Sequence, residues 1–505
     1  MNLRKKIANF IDPSRVPVKR RSFAAAMMNR VSRFAFSWGT INADISMDMQ
    51  KVVMRSRQLA KNNDNVTSYL NLMQRNIIGE SGFRLQCRSK GAEGAEINQQ
   101  IESLWAEYNS AVGGFVTVDG AQSGRDFDIL VLRTLLVDGE CFIRIVEDNA
   151  SRFGQRYEVI DTLLIDHDYN VFDLPNGEFI RCGIKLDKNW RPLAYFVREN
   201  KLDNQYNTGE RIEVPAREII HLYRKYFPRQ VRGITPLAAT VEAVNQLESY
   251  KEAELVAARM HACNMGFYVK TGTGGDFIDE KDVDKEGDWT SEMSPGQIAF
   301  APDGYDVKQF NNSHPAGNFA SFVKAMCRGV FASLGVSYNK GAGDYESVNY
   351  SSLREAALED REAWRDLQAF IIESWKDRQF AAFLRGMLLA GTGNLKATLL
   401  DEYSKHKFFG RSWDWVDPQK DIQAISSSIA LGLTDHITEI EKRGGDVDEI
   451  LDREALYLAK RRERGLPETF GDNVTTQVIS MTGGDDENND VITENIENEG
   501  ENGDV

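Results

Sequence analysis

The sequence predicts an α+β fold divided among several domains. Three observations predict it. Helical spacing dominates residues 46–136, and short strand-like runs separated by turn residues follow from 140 to 223. Two apolar-periodic helices, near 236–263 and 316–334, flank a Gly-, Asp-, Lys- and Pro-rich excursion. A single helical pattern then runs from about Ser351 to Leu389, which at 1.5 Å per residue is roughly 55–60 Å. With 505 residues there is material for several cores and two to four domains.

The elements fall in order. Residues 1–45 read as a basic, flexible arm: nine Lys or Arg in the first 33 residues face Asp12 alone, a charge of +8. An apolar h-region is missing there, so no secretory signal is expected. The arm is either a plain tail or a contact for nucleic acid or an assembly partner. From Asp48 to Ile78 the spacing predicts one helix, with Met54, Leu59, Tyr69, Leu72, Met73 and Ile77 on its apolar side. A short strand over 83–87 follows, then helices near 95–108 and 124–136. Strands are expected at 140–146, 156–160, 163–165, 178–186, 193–198, 211–214 and 219–223, as an antiparallel meander with a hairpin turn at 187–192. This α+β block spans 46–231.

Thr235 and Pro236 supply an N-cap and an N1 proline for the helix at 236–263. Its apolar side carries Leu237, Val241, Val244, Leu247, Leu255 and Ala258. The returning helix at 316–334 places Phe319, Phe322, Val323, Met326, Val330, Phe331 and Leu334 at spacings of three and four. Between them, 265–315 reads as a protruding lobe with strands near 265–270, 297–300 and 307–310. The break at 336–350 is too rich in Gly, Asn and Ser to continue a helix, and it carries Tyr338, Asn339, Lys340, Asp344, Tyr345 and Glu346. It is either an ordinary interhelical connection or a mobile finger whose Tyr and Lys touch a phosphate backbone while nearby acids keep the contact weak. Trp364, Phe370 and Trp375 on the long helix read as packing residues. Helices are expected at 419–431, 437–443 and 447–464. Residues 466–505, with eleven acids and no Lys or Arg, read as an acidic disordered tail.

Composition narrows the chemistry. Five cysteines (Cys87, Cys141, Cys182, Cys263, Cys327) without a CxxC pair read as reduced, buried thiols. Six scattered histidines form no paired ligand motif, and no catalytic, metal or cofactor site is expected. GxSxG and GxxxxGK[ST] are absent; Thr271-Gly272-Thr273-Gly274-Gly275 reads as a turn. No run of eighteen apolar residues occurs, so no membrane span is expected. Net charge is −15, and the region between the termini is acidic, which argues against tight sequence-specific DNA binding. Two rival readings are a nuclease working through carboxylates at Asp161, Asp166 and Asp168, and a scaffold or adaptor that captures partners through its charged termini.

Several segments resemble the lambda-type portal proteins of tailed bacteriophages. The strongest is Trp413-Asp414-Trp415-Val416-Asp417-Pro418-Gln419-Lys420-Asp421, continued by Ala424, Gly432-Leu433 and Arg443-Gly444-Gly445-Asp446-Val447. With it stand Arg57-Gln58-Leu59-Ala60-Lys61-Asn62-Asn63, Asp138-Gly139-Glu140, Gly183-Ile184-Lys185-Leu186-Asp187 with Arg191-Pro192, Ala194 and Tyr195, and Arg232-Gly233-Ile234-Thr235-Pro236-Leu237-Ala238. The similarity runs from about 45 to 465.

The resemblance implies a ring, usually of twelve subunits, at one capsid vertex of the virion, assembled in the host cytoplasm. Double-stranded DNA passes through it, held weakly and without sequence preference. The terminase large subunit, then head–tail connector proteins, dock from outside, and a major capsid or scaffold protein surrounds it. By the same resemblance 46–231 is the wing, 232–264 and 316–335 the stem helices, 265–315 the clip, and 336–350 the tunnel loop. Residues 351–418 are the long helix and the rest of the wing, and 419–465 the helical crown. Lys270, Asp276, Lys281 and Lys285 are then the clip residues expected to meet terminase or connector.

Overall fold

In this computed structural model the described residues are 39–90, 94–199, 209–262, 266–270, 305–309, 318–346, 348–413, 418–443, 445 and 447–465. The chain divides into two units, Met1–Phe408 and Phe409–Val505.

The first unit opens with α1 (Ile41–Asn62) and α2 (Asp64–Ile77). The sequence predicted one helix starting near 48, but α1 begins inside the stretch read as an arm. It buries Asn42, Ile45, Met49, Val53, Ser56 and Ala60, one residue every three or four. Met54, expected inward, is exposed. The helix breaks at Asn63, whose extended backbone lets its side chain accept from the Val66 amide at 3.0 Å and cap α2.

Next come β1 (Arg84–Cys87), α3 (Gly94–Tyr108) and α4 (Gly124–Asp138). Ser123 caps α4, accepting from the Asp126 amide at 3.1 Å. Gly139, left-handed at φ 89°, ends it and turns the chain into β2 (Glu140–Glu147).

The strands form two sheets rather than one meander. In the first, β2 lies between β3 (Gln155–Ile160) and β8 (Ile219–Tyr223), antiparallel to both. In the second, β4 (Phe179–Arg181), β5 (Ile184–Leu186), β6 (Pro192–Arg198) and β7 (Arg211–Pro215) run in sequence order. The expected strand 178–186 is split by a tight turn at Cys182-Gly183, both with positive φ. The expected strand at 163–165 is instead a 3-10 turn, Thr162–Leu164, started by Asp161 accepting from the Leu163 amide. The turn at 187–192 is a hairpin as expected: Asp187 accepts from the amides of Asn189 (2.7 Å) and Arg191 (2.8 Å). α1 lays Ile45, Met49 and Val53 against both sheets, over Phe142, Ile165, Ile184 and Tyr195.

Thr235 caps a 3-10 turn, Pro236–Ala239, and α5 (Val241–Ala262) follows. Val244 and Leu247 are buried, whereas Leu255, predicted inward, is 52% exposed. β9 (Gly266–Lys270) pairs antiparallel with β10 (Tyr305–Gln309). α6 (Phe319–Ser333) returns beside α5, with the Tyr250 ring 4.8 Å from that of Phe322. A short α7 (Tyr338–Ala342) precedes α8 (Tyr350–Ile371).

The long helix is real but not uniform. A π-helical stretch, Ile372–Lys376, joins α8 to α9 (Asp377–Ala390). The wider turn lets two consecutive residues, Trp375 and Lys376, both point inward. Trp375 Nε1 donates to Asp128 at 2.7 Å, and Lys376 Nζ bridges Asp128 and Gln379 at 3.0 and 2.7 Å. Around them pack Trp105, Phe380, Phe383 and Phe408 in edge-on and tilted contacts. The unit closes with α10 (Leu400–Tyr403) and β11 (His406–Phe409), which pairs with β1. Cys87, Cys141, Cys182 and Cys327 are buried free thiols, as expected; Cys263 lies outside the described residues.

The second unit contains α11 (Pro418–Ala430), α12 (His436–Lys442) and α13 (Val447–Glu463). Asp435 caps α12, accepting from the Thr438 amide at 2.8 Å. Residues 1–38, 271–304 with the expected strand near 297–300, 310–317, 414–417 and 466–505 lie outside the described residues.

Candidate functional site

Four of the separate sequence motifs meet at one buried junction. Glu140, the first residue of β2, has no exposure, nor does Arg232. Arg232 Nη2 lies 2.7 Å from Glu140 Oε1, and Nε donates to the same oxygen at 2.8 Å. The remaining guanidinium N–H groups donate to the carbonyls of Cys182 (2.9 Å), Thr162 (3.1 Å) and Ile165 (3.4 Å). The other Glu140 oxygen accepts from the Gly233 amide at 2.7 Å and lies 2.9 Å from His221 Nε2. A buried pair of this kind survives only when every lone pair and proton is satisfied, as here.

Glycines let the strands and turns approach. A Cβ on Gly139 would sit 2.2 Å from the Thr235 amide nitrogen, and one on Gly233 would sit 2.3 Å from the Gly139 carbonyl. At Gly183, the turn between β4 and β5, it would meet the Asp166 carbonyl at 2.5 Å. The Arg57 motif joins at the edge: its guanidinium grips Asp138 (2.8 and 2.5 Å) and Asp161 (3.0 and 2.8 Å). Burial alone would lower the Arg57 pKa, but the two carboxylates raise it above the usual arginine value. The arrangement fixes α1, β2, β8 and the start of α5 against one another.

The stretch 336–350 is tied to that body more closely than a free finger would be. Ser337 donates to Asp360 through amide (2.9 Å) and hydroxyl (2.7 Å), and Lys340 Nζ lies 3.0 Å from the same carboxylate. Lys340 also lies 4.8 Å over the Trp364 ring. Gly341 packs against Phe331, and its carbonyl accepts from Ser68 at 2.7 Å. Tyr338 donates to Asp344 at 2.8 Å, and Lys324 on α6 spans Asp344 and Glu346, each at 3.0 Å. Hydrogen bonds from Lys324 and Tyr338 hold the Asp344 carboxyl below its usual pKa. Asn339 is half-buried, while Tyr345 stands out at 56% exposure. Lys324, Asp360 and Ser68 were not legible as part of this site, because each lies at least ten residues from it in sequence and none carries a motif.

A family model described as "Phage portal protein, lambda family" matches residues 29–368. The chain belongs to the lambda family of phage portal proteins. It is 28% identical over 489 residues to the "Probable portal protein" of Halomonas phage phiHAP-1, covering 94% of this chain and 93% of that one. It is 22% identical over 455 residues to "Portal protein B" of Escherichia phage lambda, covering 82% and 84%. Among solved structures it is similar to a chain of the "Neck of native GTA particle computed with C12 symmetry", at 12% identity and a TM-score of 0.43, over 79% of this chain and 94% of that one.

All four motifs of the junction lie within the residues matched by the portal family model, whereas the run at 413–421 lies beyond them. Of the expected docking residues of this portal-family chain, Lys270 ends β9, paired in register with Tyr305. Asp276, Lys281 and Lys285 lie outside the described residues.

The carboxylates of the nuclease reading do not converge on a cation. Asp161 is engaged by Arg57; Asp166, 1% exposed, is paired with Arg198 (2.7 Å) and Arg211 (2.5 Å); Asp168 faces solvent. Among the described residues no group of three His, Cys, Asp or Glu is placed to hold a metal ion, and no helix is long and apolar enough to cross a membrane.

Proposed function

We propose that this chain assembles into a closed ring of twelve copies at one capsid vertex and serves as the conduit for DNA entry and exit. Its membership of the portal family across 29–368 carries this reading. The exposed apolar side chains of α5 and α6 support it: Leu255, Val256 and Phe322 are 52%, 46% and 46% exposed on a single subunit, surface that a neighbouring copy would cover. The role is structural rather than enzymatic.

In this reading the 338–346 segment faces the channel. Its Lys340 charge is matched by Asp360, and Lys324 by Asp344 and Glu346. Little cationic charge is then left to release counterions from a passing duplex, so contact with DNA is weak and independent of sequence. The 265–315 lobe, with Lys270, Asp276, Lys281 and Lys285, is the proposed landing for the terminase large subunit and later the head–tail connector. A capsid or scaffold protein would embrace the ring in the host cytoplasm. Complementation tests this directly. A phage lacking its portal gene, supplied with this chain, should yield DNA-filled heads; filled heads forming equally well without it would overturn the reading.

A further inference from the structure

Beside the second sheet lies a cavity of about 400 Å³, within the range of ligand pockets. Its floor is apolar, built from Ile184, Leu186, Tyr195 and Val231, all buried. Its mouth carries Lys225, Arg229 and Arg378, all exposed, and no Asp or Glu lines it. None of the three cations makes an ion pair with a described residue. Arg229 rests 5.4 Å over the Trp190 ring and Lys225 5.6 Å over that of Tyr223. In a chain of net charge −15, three uncompensated cations around one apolar hollow call for an explanation.

The rim is preformed. Gln230, 1% exposed, accepts from the amides of Tyr226 (2.9 Å) and Phe227 (3.1 Å) and donates to the Arg232 carbonyl at 2.7 Å. Asn42, also buried, donates to the Arg229 carbonyl at 2.8 Å and accepts from the Val231 amide at 3.1 Å. These bonds hold Arg229 at a positive φ of 59°, and the rings of Trp190 and Tyr223 line the cavity beneath Arg229 and Lys225. Aromatic and arginine side chains on a rigid rim are the composition of a protein-binding hot spot, with little ordering cost on this side.

We propose that this cavity is a docking socket for an acidic peptide of a partner protein. A bulky apolar side chain enters the hollow, and flanking carboxylates pair with Lys225, Arg229 and Arg378. An inorganic anion would use the rim and waste the floor. A DNA duplex, wider than the cavity, would touch the rim alone. The socket does not depend on the channel reading, because binding is measured on the purified chain.

The test uses the full chain in its purified assembly state and a labelled, acetylated Glu-Asp-Phe-Glu-Asp peptide, followed by fluorescence anisotropy. Saturable binding that weakens with added salt is expected. Arg378→Glu or Lys225→Glu should weaken it at least roughly tenfold, the loss of about one charge-assisted contact. Ala216→Leu, which narrows the cavity without touching charge, should weaken it similarly, while Arg378→Lys should retain most of it. Assembly state is recorded for each variant. No saturable binding would overturn the proposal, as would a neighbouring copy filling the cavity. So would equal binding of a peptide with Gly for Phe, or equal competition by inorganic phosphate or duplex DNA.

Discussion

Arg232 and Glu140 face each other across 2.7 Å where neither side chain is reached by water. The pair joins the start of the first sheet to the turn that leads into α5, ninety-two residues apart in sequence. Truncating Arg232 would leave a buried carboxylate uncompensated. Arg232→Met is expected to cost about 3–5 kcal/mol, and the double change Arg232→Met with Glu140→Leu clearly less. Arg232→Lys should not rescue, since one ammonium cannot serve Glu140 and three carbonyls together. Denaturant midpoints check all three.

The same junction makes stability depend on pH. Burial holds His221 below the usual histidine pKa despite its contact with Glu140. Below about pH 6.5 the unfolded chain therefore binds a proton that the folded one refuses, and stability falls as pH drops. Glu140 adds a second loss: burial pushes its carboxyl up, but Arg232 and His221 hold it below the usual range. Its contribution is present above about pH 4.3 and disappears as pH falls through the lower folded value. His221→Phe keeps the stacking on Phe142 and Tyr223 and should remove the first step, while the second shrinks but persists because Arg232 still holds the Glu140 carboxyl. Thermal unfolding across that range checks the two phases.

Two glycines with left-handed backbones should respond differently to alanine. At Gly139 the methyl would strike the Thr235 amide at 2.2 Å, while at Gly343 nothing lies within 4 Å. Gly343→Ala is expected to cost only the left-handed backbone strain, about 1–2 kcal/mol. Gly139→Ala adds the steric term and should exceed that by about 1–3 kcal/mol or prevent folding. Unfolding midpoints and soluble yield compare the pair.

Single substitutions in and beside the 338–346 segment separate its contact with DNA from its attachment to the body. Tyr345 projects outward, so Tyr345→Ala should leave assembly and unfolding unchanged and reduce DNA retention in filled heads. Lys324→Ala should release Asp344 and Glu346 and speed amide exchange across 343–346 with assembly intact. Hydrogen exchange read beside head filling separates the two roles; unchanged retention in Tyr345→Ala would remove that ring from the channel.

Element existence and type were largely legible, because apolar spacing and caps act locally. What escaped depends on contacts far away in sequence. The break at Asn63 is invisible in a hydrophobic pattern that continues through it, and shows only as a cap on Val66. The turn at Cys182-Gly183 reads as strand because Gly183 faces the Asp166 backbone, a distant partner. The π-turn at 372–376 follows from Lys376 finding Asp128 inside an aromatic core. Arg57, Glu140, Gly183 and Arg232 were each visible as pieces of a resemblance, but nothing local says that they touch. The sequence shows 336–350 as a break between helices, but not its attachment through Ser68, Lys324 and Asp360.

Copies of this chain are expected to close into a ring. Native mass spectrometry of the purified full-length protein tests it most directly. A dominant species at twelve times the 57.0 kDa subunit mass is the predicted result, whereas a monomer persisting at every concentration and salt would contradict it.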